Sequence, residues 1–130
     1  MSRPVHFEIH ASDVARACTF YSTVFGWELE DWSEYAGMPY FGVKTGSEAP
    51  GIDGAIMARQ GEAPAQGAPV AGAVITMGSA DYDADTEKFV AAGGQVALPK
   101  YALPGMAWQG YFLDTEGNVF GLHQPDPEAK

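Results

Sequence analysis

Along Val5-His6-Phe7-Glu8-Ile9-His10 apolar and polar side chains alternate, the period-two signature of a strand with one packed face. Ser12 or Asp13 can then cap a helix whose apolar positions Val14, Ala17, Cys18, Tyr21, Val24 and Phe25 recur at helical spacing until Gly26 stops it. Three short strands are predicted next, Trp27 to Trp32, Met38 to Lys44 and Ile52 to Arg59, separated by turns rich in glycine and proline. Gln60 to Pro69 has little to pack and reads as a linker. The pattern then restarts: a strand over Val70 to Met77, a helix capped by Ser79 or Asp81 and closed by Gly93-Gly94, and strands at Gln95 to Lys100, Met106 to Asp114 and Asn118 to Gln124.

The chain is therefore expected to be an α+β protein built from two tandem βαβββ units, about 4–59 and 70–124, within a single domain. A constant separation of 68 residues supports the duplication, pairing Asp13 with Asp81, Gly26 with Gly94, Gly37 with Gly105, Met38 with Met106 and Gly42 with Gly110. Only in the last strand does the offset slip, where Gly51 answers Gly117.

Composition narrows the function classes. Seventeen acidic against seven basic side chains give a net charge of −10, which repels nucleic acid and anionic lipid, so neither is expected as a partner. No apolar run approaches the roughly 20 residues of a spanning helix. The start, Met1-Ser2-Arg3-Pro4-Val5-His6, lacks the apolar stretch of a signal peptide, and the expectation is a soluble, cytoplasmic protein. Cys18, the only cysteine, falls on the apolar stripe of the first helix and reads as core.

Asp13-Val14-Ala15-Arg16-Ala17 leading into Phe20-Tyr21-Ser22-Thr23-Val24-Phe25-Gly26-Trp27, with Asp114-Thr115-Glu116-Gly117-Asn118 before the last strand, resembles the vicinal-oxygen-chelate superfamily. That superfamily includes glyoxalase, bleomycin-resistance proteins and extradiol dioxygenases, and the similarity is greatest to short bacterial glyoxalase-related proteins. The resemblance implies a cup-shaped, partly open β-barrel with helices outside, a small-molecule ligand in the cup, and a homodimer. It also implies a divalent metal held from the first and last strands of each unit. His6 matches the first ligand position, whereas Gly121, Val74 and Ala55 stand at the others and cannot coordinate a cation. The usual metal centre is thus expected to be absent, with His6 the ligand if a divalent ion binds after all.

On strand alternation His6 and Glu8 face the cup together with Val119, Gly121 and His123, while Phe7, Ile9, Phe120 and Leu122 pack under the helices. His6, Glu8 and His10 share one strand face, and Tyr40, Trp108 and Tyr111 are candidates to line an apolar ligand slot. Ligand-binding candidates are therefore His6, Glu8, Tyr40, Trp108, Tyr111 and His123, and the catalytic candidates are His6 and Glu8. An inward carboxylate in a half-dry cup can have a raised pKa, which makes Glu8 the candidate general base. The segments Ser33 to Met38 and Tyr101 to Ala107 are expected at the rim. These residues point to a metal-independent small-molecule binder, with a lyase or isomerase on a small carbonyl compound, or an antibiotic-binding resistance protein, as alternatives.

Overall fold

In the computed structural model, which describes residues 2–69 and 72–130, the chain forms two compact units. One is His6–Ala73; the other gathers Met1–Val5 with Val74–Lys130. The first unit holds β1 (Pro4–Ala11, from His6 onward), α1 (Val14–Phe25), β2 (Glu28–Asp31), α2 (Ser33–Ala36), β3 (Tyr40–Lys44) and β4 (Gly54–Ala58). Its strands run in the order β2-β3-β4-β1, with β1 parallel to β4 and the other pairs antiparallel.

Asp13 is the residue that caps α1, its carboxylate accepting the Arg16 N–H at 3.0 Å, and Gly26 ends the helix in the left-handed conformation that glycine adopts without strain. The helix lays Val14 and Cys18 on Ala11, Val43 and Ile56, with Phe7, Ile9 and Phe41 around them. These strand residues alternate along their strands, so one sheet face is covered by α1, the helix face, and the other, termed the open face, is not. Gly54 is on the helix face because Phe7 leaves no room for more: a methyl group there would fall 2.5 Å from the Phe7 carbonyl oxygen.

The second unit repeats the plan with β5 (Ala73–Gly78), α3 (Tyr82–Ala91), β6 (Gln95–Leu103), β7 (Ala107–Leu113) and β8 (Val119–Pro125), in the order β5-β8-β7-β6 with β5 parallel to β8. Asp81 caps α3 through the Ala84 N–H at 3.1 Å, and Tyr82, Phe112 and Leu122 form the core beneath it with Phe89 and Phe120. The first residues of the chain join this unit: the Gly78 N–H donates to the Arg3 carbonyl at 2.9 Å, and Val5 packs over Gly78. The expected strand from Val70 is found from Ala73, Val70 and Ala71 lying outside the described residues. The Ser33 to Met38 segment contains the one-turn helix α2, which has no counterpart in the second unit, and Tyr101 to Leu103 belong to β6 rather than to a loop.

The constant offset of 68 does not survive into the third strands. Gly42 lies on the open face, with the Trp32 ring 2.9 Å from where its methyl would be, whereas Gly110 lies on the helix face, directly under the Tyr82 hydroxyl. The two glycines match in sequence and are opposed in structure. One more residue separates Gly94 from β7 than separates Gly26 from the corresponding place in β3, and in a pleated strand a one-residue slip exchanges the faces. β6 itself is irregular, its register shifting between Val96 and Leu98 and again before Tyr101. By position in the ladder Glu8 and Gly42 flank Ala55, while Thr76 and Tyr111 flank Gly121. Tyr40 therefore corresponds to Gln109, and Trp108 is a neighbour on the other face.

Candidate functional site on the open face of the first unit

β1 and β3 bring three of the predicted residues together. The Tyr40 hydroxyl donates to Glu8 Oε2 at 2.8 Å and lies 3.2 Å from His6 Nε2. Tyrosine has one hydroxyl proton, and the shorter, charge-assisted bond to the carboxylate claims it. His6 Nε2 must then donate into the hydroxyl oxygen, which leaves Nδ1 as the bare nitrogen of the neutral ring. Glu8 is only 5% exposed, so this contact is made largely out of water. Burial lowers the His6 pKa, against the opposing pull of the Glu8 and Asp53 charges. The ring is thus held toward its neutral form, suited to accept a proton or a hydrogen bond.

Beside this chain stands a residue that strand alternation did not reveal. Trp32, which precedes α2, lies nearly parallel to Tyr40, with an interplanar angle of 11° and centroids 6.3 Å apart. Three of its ring atoms are 2.9–3.0 Å from the built methyl position of Gly42, so the indole lies face-on over the bare glycine. It is 42% exposed and presents an apolar wall next to the polar chain. The readable signal was Gly42 itself, an interior strand glycine of the kind that marks a close approach.

The remaining candidates divide between faces and units. His10 sits further along β1 opposite Met57, and its carbonyl accepts from Arg59 Nη2 at 3.0 Å. In the second unit His123 Nδ1 lies 2.9 Å from Gln109 Oε1, and Tyr111 stands opposite Gly121. Trp108 does not share a face with Tyr111. It packs against the helix-face core, donates Nε1–H to Asp126 at 2.9 Å, and carries the Lys100 ammonium 4.7 Å over its ring. The expectation that it lines a ligand slot with Tyr40 and Tyr111 is corrected by the pleat.

A divalent metal does not fit the donor set. Among the described residues no group of three His, Cys, Asp or Glu is placed to hold one. Glu8, the neighbour of His6 on β1, is already bonded to Tyr40, and at Gly121 even a methyl group would meet Thr76 Oγ1 at 2.5 Å.

This arrangement of two strand–helix–three-strand units is that of a known class. The chain has the fold of the vicinal-oxygen-chelate superfamily. Residues 3–39, covering β1, α1, β2 and α2, match a family described as bleomycin resistance protein-like N-terminal. A methylmalonyl-CoA epimerase solved with methylmalonyl-CoA and NH4+ is 21% identical, with a TM-score of 0.66 over 100% of this chain and 99% of that one. A hypothetical protein from Bacillus halodurans C-125 superposes with a TM-score of 0.67 at 14% identity, covering 99% and 98% of the two chains. The methylmalonyl-CoA epimerase of Mycobacterium tuberculosis gives 0.65 at 17% identity, over 95% of this chain and 88% of its own. A comparison with curated protein sequences finds no match.

Proposed function

We propose that the protein binds a small molecule on the open face of the first unit without the divalent metal usual to the fold. The observation that carries this reading is the His6–Tyr40–Glu8 chain beside the exposed Trp32 ring. His6 Nδ1 would accept a hydrogen bond from the ligand, and Trp32 would cover an apolar part of it. The superfamily neighbours that were solved with coenzyme A derivatives support small-molecule binding as the general activity. The same reading has the protein as a cytoplasmic homodimer, which sedimentation and cell fractionation would test.

The test is a ligand screen followed by tryptophan fluorescence, read in wild type and in Trp32→Phe to isolate the Trp32 signal. A ligand of this site should change Trp32 emission, and His6→Ala should weaken it by about tenfold, the worth of one net hydrogen bond. Purified protein that retains one equivalent of divalent metal, and loses its ligand on chelation, would sink the metal-free reading.

A second reading is favoured by the bare Nδ1 on a ring held neutral. In it the protein is an isomerase or lyase on a small carbonyl compound, and His6 takes a proton from the carbon beside the carbonyl. His6→Ala and Glu8→Ala should then each abolish turnover with the fold intact, and unchanged rates would remove this second reading.

A further inference from the structure

One flank of α1 is apolar and faces solvent. Val14 and Cys18 point into the core, while Phe20 and Val24, four residues apart and so neighbours on the helix surface, are each 55% exposed. The Phe20 ring lies edge-on to Tyr21 with centroids 5.1 Å apart, which holds it in place. Charge sets this flank apart from the rest of the molecule. The chain carries 17 acidic side chains, yet α1 has none, and its one charged residue is Arg16. Arg16 continues the row, four residues before Phe20, and makes no ion pair among the described residues. It also sits in the first turn of α1, the end at which the helix dipole disfavours a cation. The last turn, where a cation would be stabilised, has no basic residue. A second copy of the same helix, running antiparallel, removes both mismatches at once.

We propose that α1 is a self-association surface, on which two copies of the protein pack this flank together, antiparallel across a two-fold axis at Phe20. In that arrangement the two Phe20 rings meet at the axis. The aliphatic stem of each Arg16 covers Val24 of the partner subunit, and its guanidinium reaches the last carbonyls of the partner helix. A flank free of carboxylates is also where two chains of net charge −10 repel each other least. The contact is small and the dimer correspondingly weak, with a dissociation constant on the order of 10 μM. This surface is the seam of the homodimer proposed above and rests on that reading; ligand binding on the open face does not depend on it.

Sedimentation of the full chain across a micromolar concentration series tests the seam. Wild type should pass from monomer to dimer. Phe20→Ser should weaken the dimer by about thirtyfold, the effect of losing an aromatic anchor on both sides. The thermal midpoint of the monomer should be retained, because that side chain is already half in water. Val24→Ser should act in the same direction, and Val90→Ser, at 52% exposure on α3, should leave dimerisation unchanged. Arg16→Glu separates an interface from a local role. A carboxylate in the first turn should raise the monomer's thermal midpoint yet weaken the dimer by about tenfold, because it faces the negative end of the partner helix. A dimer untouched by Phe20→Ser, or one that Arg16→Glu tightens or leaves alone, would overturn this seam and leave the homodimer standing. Wild type that stays monomeric throughout, whether free or carried on phosphatidylcholine vesicles, would overturn both.

Discussion

The two open faces are built on the same ladder and have diverged in chemistry. In the first unit the corresponding positions carry Glu8 and Tyr40, next to His6, and the group is ionisable and charge-assisted. In the second unit they carry Thr76 and Gln109, next to His123, and Val74 stands where His6 would be. Each third strand sends one polar side chain across the sheet, yet the first gives a proton-handling chain and the second a neutral polar group. Duplication preserved caps and strand order, which the backbone needs, and left the open-face side chains free to specialise.

The sharpest way to break this comparison is through the two glycines that match in sequence and face opposite ways. Gly110→Ala drives a methyl into the buried Tyr82 hydroxyl beneath α3, and overpacking of that kind should cost about 2 kcal/mol in urea denaturation. Gly42→Ala meets the face of a partly exposed indole that can swing aside, so it should cost less than about 0.5 kcal/mol while removing the Trp32 response to ligand. Equal losses in the two variants would show that the third strands share a register after all.

A smaller effect is expected at Tyr40. Tyr40→Phe deletes the hydroxyl that joins His6 to Glu8, and the loss of its two partly buried hydrogen bonds should destabilise by about 1.5 kcal/mol. It should also change the His6 titration followed by proton NMR, whereas Gln109→Leu in the other unit should leave that titration alone.

The smallest effect is a pH dependence confined to the first unit. Burial lowers the folded pKa of His6, so the unfolded chain takes up its proton first as the pH drops below about 6.5. The His6 contribution to stability is therefore complete above that pH and declines on acidification until the folded ring also protonates. His6→Gln should flatten this part of the wild-type profile, read as the difference between the two urea midpoints across pH. A parallel pair of profiles would remove His6 as the source.

Much of this architecture was legible in residue order. Asp13 and Asp81 as caps, Gly26 as a stop, and the alternation that turns His6 and Glu8 away from Phe7 and Ile9 all follow from local backbone chemistry. The role of Trp32 did not, because its ring reaches Gly42 from the junction of β2 and α2 and only the folded sheet brings them together. Gln109 was hidden by the matching of Gly42 with Gly110: coincident glycines made one offset look general, and a single additional residue before β7 was enough to turn Trp108 inward to the core. Local signals fix where an element starts, but the face a strand presents is set by counting residues through every bend before it.

The bond from Gly78 N–H to the Arg3 carbonyl spans the whole first unit in sequence. Arg3, made well before β5, must wait for that strand before its backbone finds this partner. Closing so long a loop adds only slowly to the entropic cost but delays the contact in time, which places completion of the second unit late in folding. An affinity tag fused at the N-terminus would accordingly be felt in the half of the protein most remote from it along the chain.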